Sequence, residues 1–365
     1  MRVLLFSLEY KPFKGGIATY YENIVKYWPE RSNIFVLNNN QSKLVKNWLF
    51  FKWLPSIWAL WRDLKRKKID YVLVGHILPL GTVAWGLSYL FSFKYAVILH
   101  GMDFSFACRS SRKKWLAKNI LKRADRIICN SRYTREVVLG FLNRKQDQVI
   151  AVNPGVDTHI TYKANNTKKI RERYALQNKK ILLQVGRLVK RKGVDKVLEA
   201  LPEVLKTVSD LIYVVLGRGE EADNYKQQII NRKLQNRVIL ITDADDEELN
   251  AWYELCDIFI MPARNINGDF EGFGTVYLEA NLFAKPVIAG ASGGVRDAVV
   301  DALNGLLVNS EDPKAIAQAI IRLANDENLR LKLGEQGRER ALKEFSWEKQ
   351  ISKIYDFIVN KQLNF

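Results

Sequence analysis

Two carboxylates, Glu271 and Glu279, bracket the run Glu271-Gly-Phe-Gly-Thr-Val-Tyr-Leu-Glu279, and this spacing is the most chemically specific feature of the chain. Gly272 and Gly274 are expected to form a turn that opens a helix, where bare N–H groups and the positive end of the helix dipole can approach an anion. The glutamates can then accept hydrogen bonds from hydroxyl groups, so the run suits a sugar carried on a diphosphate. Glutamates at this spacing around a helix start also serve as solvated or capping groups, and the run alone does not separate the readings.

Other loops offer matching chemistry. The segment Lys14-Gly15-Gly16-Ile-Ala-Thr-Tyr20 follows the first apolar run, and His100-Gly-Met-Asp103 follows the fourth. Farther on come Val185-Gly186-Arg187-Leu-Val-Lys190-Arg-Lys192-Gly193 and Gly217-Arg-Gly219. Together Gly15, Gly16, Gly186, Arg187, Lys192 and Gly217 could bring bare amides and cations to one diphosphate, Arg187 through planar two-point contact and Lys192 as a point charge. Each has an ordinary reading as well: glycine pairs end strands, and a Lys-Arg-Lys run is usually solvated.

The elements that must position these loops alternate along the chain. Apolar strand candidates recur at Arg2–Ser7, Ile34–Leu37, Tyr71–Val74, Ala96–Leu99, Arg126–Asn130 and Val149–Val152. After a polar, lysine-rich stretch a second series follows at Lys180–Val185, Leu211–Leu216, Val238–Ile241, Ile258–Met261, Pro286–Ala289 and Gly305–Val308. Strands separated by helical patterning imply parallel sheets, and the two series imply an α/β chain of two doubly wound, Rossmann-like domains, residues 1–160 and 161–346, with a final helix over 347–365. Ligands of such sheets lie beyond the carboxyl ends of the strands, where the loops above fall, so the two domains are expected to face each other across a cleft.

Composition narrows the class. The 365 residues carry a net charge of +18, with 26 Lys and Arg against 10 Asp and Glu in residues 1–160 and 31 against 29 in the remainder. The first half is thus expected to face something anionic, a lipid surface or a nucleic acid. Cys108, Cys129 and Cys256 are far apart, and His76, His100 and His159 form no cluster, which favours a reducing compartment and no structural zinc. The apolar run after Met1 is too short for a signal peptide and reads as a buried strand. Tyr71–Phe93 lacks charged side chains, but Gly75, Pro79, Gly81 and Gly86 argue against one membrane-spanning helix; the reading is a buried strand and a core helix over about Leu80–Phe91.

Taken in order, these residues resemble the family-4 retaining glycosyltransferases, also called glycosyl transferase group 1, which have the two-domain GT-B fold. The resemblance covers nearly the whole chain. Its strongest part is Met261-Pro-Ala-Arg264 with Glu271–Glu279, then Pro286-Val-Ile-Ala-Gly290 and Ser292-Gly-Gly294; the first half adds His100-Gly, Asn130-Ser-Arg-Tyr-Thr-Arg135 and Asn153-Pro-Gly-Val-Asp157. Within the family the chain looks most like the phosphatidylinositol mannoside mannosyltransferases. The resemblance implies that Gly16 meets the donor phosphate and that Arg187 and Lys192 neutralise the diphosphate. It further implies that Glu271 binds sugar hydroxyls beside the Gly272-Phe273-Gly274 backbone, that Glu279 binds the ribose, and that His100 contacts the sugar near the reacting carbon. It implies a nucleotide-sugar donor, with GDP-mannose preferred over a UDP-hexose or UDP-N-acetylhexosamine, and no metal. Asp243-Ala-Asp245 looks like a metal-binding acidic triad but is expected to be the acidic start of a helix running to about Cys256.

Two departures stand out. Gly293-Gly-Val-Arg296-Asp297 replaces the family's usual Gly-Gly-Pro-Glu, and Thr242-Asp243 replaces a glycine, so inherited base or sugar contacts are in doubt at both places.

Around residue 50, Lys46–Trp53 interleaves Trp48, Phe50, Phe51 and Trp53 with lysines and suits insertion at a lipid interface. The helix expected over Pro55–Lys68 carries a stripe of Ile57, Trp58, Trp61 and Leu64, read as packed in the core. With the Arg109–Trp115 cluster these segments suggest a cytoplasmic enzyme, peripheral on the inner face of the membrane, that uses a lipid-linked or glycan acceptor. No nucleic-acid motif accompanies the charge. A glycosidase pairing Glu271 with Glu279, or an inactive membrane-bound scaffold, would leave Arg187 and Lys192 without a role.

Overall fold

A computed structural model describes residues 1–13, 15–46, 52–143, 146–158 and 164–359, leaving aside the side chains of Ala164, Asn165 and Asp246. The chain forms two compact units, Met1–Gly155 with Trp347–Phe365, and Val156–Ser346. The expected insertion of Trp48, Phe50 and Phe51, and the positions of Lys14 and His159, lie outside the described residues.

The first unit is built on six parallel strands: β1 (Val3–Ser7), β2 (Ile34–Asn38), β3 (Tyr71–Val74), β4 (Lys94–Leu99), β5 (Arg126–Cys129) and β6 (Val149–Ala151). Their order is β2-β1-β3-β4-β5-β6. Alternate residues enter opposite cores, as a strand's two-residue period requires: Leu4, Phe6, Val72 and Val74 pack on one face, Val3, Leu5, Tyr71 and Leu73 on the other. Burying each such side chain stabilises the fold by about 1.5–3 kcal/mol. The second face is covered by the helix Gly16–Lys26, through Tyr20, Tyr21 and Ile24, and by the last helix, Trp347–Val359, through Ile351, Ile354 and Phe357. Gly155 lies against Trp347, whose ring and backbone occupy the place a Cβ would take.

The helix expected over Pro55–Lys68 runs from Leu54 to Lys67, with a different face inward. Ser56, Ala59, Leu60, Asp63 and Leu64 are buried, Ile57 and Trp61 are half-buried, and Trp58 is 59% exposed. Small Ser56 and Ala59 lie on the buried face, and Lys67 (2.7 Å) and Arg62 (3.0 Å) compensate the Asp63 carboxylate. The Trp58 ring stays outside, beneath the Arg62 guanidinium at 5.0 Å. The expected core helix from Leu80 ends at Leu87, and the turn after it leaves Tyr89 and Leu90 exposed. Among the described residues no helix is long and apolar enough to cross a membrane.

The second unit repeats the plan with β7 (Lys180–Val185), β8 (Leu211–Leu216), β9 (Val238–Ile241), β10 (Ile258–Met261), β11 (Val287–Gly290) and β12 (Gly305–Val308), all parallel, in the order β12-β11-β10-β7-β8-β9. The chain winds outward from β7 in one direction and from β10 in the other. The crevice beyond the carboxyl ends of these two strands is the topological switch point, the place where such sheets bind ligands. Asp245 opens the next acidic segment: its carboxylate accepts the N–H of Glu248 at 2.8 Å and caps the helix Asp246–Leu255, the role expected of it.

Candidate active site

At the switch point of the second unit, the loop after β7 and the loop after β10 are joined by buried ion pairs. The backbone leaves β7 at Gly186, turns through Lys190–Lys192 and enters the helix Val194–Thr207 at Gly193, whose φ is +78°. A side chain at Gly193 would strike Pro262, so the two loops can approach only if this residue is glycine. The turn carries Arg191 and Lys192 inward. Lys192 Nζ lies 2.5 Å from Glu271 Oε2, and Arg191 Nη1 lies 2.7 Å from the same oxygen. Arg191 also places Nε 3.0 Å from Asp269, and its carbonyl accepts the N–H of Arg264 at 2.9 Å. Beneath this layer Gln184 donates to the Lys192 carbonyl at 2.9 Å and accepts from Tyr213 at 2.5 Å, anchoring the lysine backbone.

The two glutamates of the glycine-rich run are electrostatically distinct. Burial disfavours ionisation of Glu271, but Lys192 and Arg191 outweigh it and hold the carboxyl down at about 2. Burial also pulls the Lys192 ammonium below its ordinary value, against the pull of Glu271. Glu279 is raised by burial, opposed by hydrogen bonds from Tyr253, at 2.8 Å, and Thr275. Gly274, at φ +89°, opens the helix Thr275–Leu282, and the Tyr277 ring occupies the space of its missing side chain; Gly272 is not left-handed. Held ionised by two cations, Glu271 is not a general acid. What the cluster supplies is a cationic loop with an exposed Arg187 at its edge, set against a carboxylate able to accept hydroxyl protons in hydrogen bonds.

In the first unit, the loops after β1, β3 and β4 converge on His100. Burial, with His76 nearby, holds His100 down at about 3, so the ring is neutral at physiological pH. Asp103 accepts the N–H groups of His100 and Phe104, both at 2.9 Å, and burial nevertheless pushes it up to about 6. Gly15 and Gly16 open the helix Gly16–Lys26, and among the described residues nothing lies within 4 Å of where a Cβ at either would sit. Gly217, by contrast, is a glycine because the Gly186 carbonyl fills its side-chain space.

Sequence comparison decides the family. Residues 166–340 match the family described as Glycosyl transferases group 1, and residues 14–160 match Glycosyltransferase Family 4. The chain belongs to glycosyltransferase family 4. An uncharacterised glycosyltransferase of Methanocaldococcus jannaschii is 27% identical over 98% of both chains. A GDP-mannose-dependent alpha-(1-6)-phosphatidylinositol monomannoside mannosyltransferase of Mycolicibacterium smegmatis is 30% identical over 68% of this chain and 66% of its own. Among solved structures, Anabaena HepE in complex with UDP matches with a TM-score of 0.83 at 20% identity, covering 99% of this chain and all of that one, which shows the GT-B fold.

For this glycosyltransferase, the structure brings Lys192 and Glu271 into direct contact, with Glu279 on the helix that follows, and a Cβ added at Gly186 would sit 3.7 Å from Lys192 Cε. Gly15, Gly16 and His100 all belong to the first unit. Arg191, Asp269, the Arg264–Asp195 pair (2.6 Å) and Tyr253 were not evident from sequence. Arg191 is hidden in a Lys-Arg-Lys run that reads as solvated, yet only Lys190 of the three is exposed. The available signal was position: the run is confined between a buried strand and a left-handed glycine. Of the departures, Arg296 is exposed and Asp297 buried, and nothing in the structure explains the arginine.

Proposed function

We propose that this glycosyltransferase moves a hexose, mannose from GDP-mannose above all, to a lipid-linked or glycan acceptor in cell-envelope glycolipid or polysaccharide synthesis, with retention at the anomeric carbon. The Arg191–Lys192–Glu271 cluster at the switch point carries the reading, because it sets fixed positive charge beside a hydroxyl-accepting carboxylate. Arg187 and Lys192 neutralise the diphosphate as the bond from the anomeric carbon to phosphate oxygen breaks, Glu271 orients the sugar hydroxyls, and Glu279 takes the ribose hydroxyls. The acceptor hydroxyl attacks from the face the phosphate leaves, and its proton passes to the departing phosphate oxygen, so no separate base is needed. These cations supply the charge that a divalent ion supplies elsewhere. The name of the mycolicibacterial relative supports GDP-mannose and a phosphoinositide acceptor; the UDP in the Anabaena neighbour supports a UDP-hexose as the second reading.

A membrane-facing first unit fits this acceptor class. Trp58 and Trp115, each 59% exposed, together with Phe106 and Tyr89, are exposed on that unit beside cations, with Arg109 4.0 Å from the Phe106 ring centre and Arg123 3.8 Å from that of Tyr89. Such pairs suit an anionic lipid surface on the cytoplasmic side. Incubating the enzyme with radiolabelled GDP-mannose and vesicles of extracted membrane lipid should transfer label to the organic phase, and the protein should sediment with anionic vesicles at low salt but not high. Label transferred equally from UDP-glucose alone, or no sedimentation at low salt, would contradict the donor and the membrane reading respectively.

A further inference from the structure

The ring of His100, which follows β4, is held by the helix Gly16–Lys26: Tyr20 and Tyr21 meet it edge-on, with ring centres 5.1 and 5.5 Å away. The buried Tyr21 hydroxyl touches two groups, the Gly75 carbonyl and, at 2.8 Å, His100 Nε2. A phenol has one proton to donate, and a carbonyl oxygen can only accept. Tyr21 therefore donates to Gly75, and its oxygen is left to accept from His100. Nε2 must then bear the ring proton, and in a neutral imidazole Nδ1 is left as a lone pair.

We propose that Tyr21 is a positioning residue that fixes His100 as the Nε2–H tautomer, so that Nδ1 serves as a hydrogen-bond acceptor for a hydroxyl of the donor sugar. The last clause rests on the reading of His100 as a sugar-contacting residue; the tautomer does not. Burial keeps Tyr21 protonated and His100 neutral at physiological pH, so the single shared proton has one consistent placement. Among the described residues Nδ1 has no hydrogen-bond partner. Gly75 belongs to the same device, because a Cβ there would sit 2.7 Å from Tyr21 Cζ and 2.8 Å from its oxygen. The phenol reaches His100 only because residue 75 has no side chain. The helix that opens at Gly16 thus sets the proton on the histidine.

The tautomer is read directly from long-range proton–nitrogen correlations of the full-length, 15N-labelled protein at neutral pH, with the His100 signals identified by their loss in His100→Asn. A protonated-type Nε2 and a bare-type Nδ1 are expected; a protonated Nδ1 overturns the proposal, and neither result needs a donor or an acceptor. In Tyr21→Phe the signature should move toward the other tautomer, and turnover at saturating donor should fall about tenfold or more while nucleoside diphosphate affinity stays within about twofold. Gly75→Ala, which displaces the phenol while keeping both reacting side chains, should reproduce that pattern. An unchanged tautomer in both variants would also overturn it.

Discussion

Lys192→Met is expected to lower turnover by about 10²–10³-fold, the usual loss when one fixed electrostatic donor is removed from developing charge. The Nζ of Lys192 lies 2.5 Å from Glu271, within a turn whose backbone is held by Gln184 and Gly193. Arg187 stays exposed at the edge of the loop, where the proposed function has it bind the diphosphate. Donor affinity should therefore fall less than the turnover number. Steady-state kinetics on the purified variant gives both quantities; a loss of affinity with an unchanged turnover number would indicate that Lys192 acts on the ground state alone.

The largest effect on stability is expected from Arg191→Met. Removing one member of a buried ion pair leaves the other charge uncompensated, at a typical cost of about 3–5 kcal/mol. Lys192 still neutralises part of Glu271, so the low end, about 3 kcal/mol, is expected, measured as a shift in denaturant midpoint of the second unit. The effect depends on pH in a definite direction. Glu271 has a folded pKa of about 2 against an ordinary 4.5, so its contribution is fully present above 4.5 and is lost as pH falls toward 2. Without Arg191 its folded pKa rises and the acid loss begins at a higher pH. Adding Glu271→Gln to Arg191→Met leaves Lys192 as an unpaired buried cation, but the Arg191–Glu271 contact can be lost only once, so the double variant should be less unstable than the sum of the two singles. If the double variant is as unstable as the sum of the singles, the coupling through Glu271 is wrong.

The framework of both sheets was legible because each strand is a short apolar run buried on two faces, bounded by turn residues, and the strand ends differ from expectation by one or two positions. The helix Leu54–Lys67 was legible as an element but not in its phase. Aromatic weight pointed to Trp58, whereas the buried face carries Ser56 and Ala59, and the buried Asp63 depended on cations supplied by its own helix. At the site, Glu271 and Lys192 stood out by type and by resemblance. Their pairing spans 79 residues of sequence, and no local pattern records such a contact. Arg191 was lost for the same reason. The Tyr21–His100 bond, also 79 residues apart, depends on the missing side chain at Gly75, a feature that sequence shows only as one more glycine after a strand.

The central claim, that this chain is a nucleotide-sugar transferase with its donor charge held by Arg187 and Lys192, is tested most directly by titration calorimetry against GDP, UDP, GDP-mannose and UDP-glucose without divalent metal. Saturable binding of GDP and GDP-mannose, lost in Arg187→Ala and preferred over the uridine compounds, is the predicted result. Selectivity for UDP and UDP-glucose would contradict the donor assignment, and heats of dilution alone for all four would contradict the claim itself.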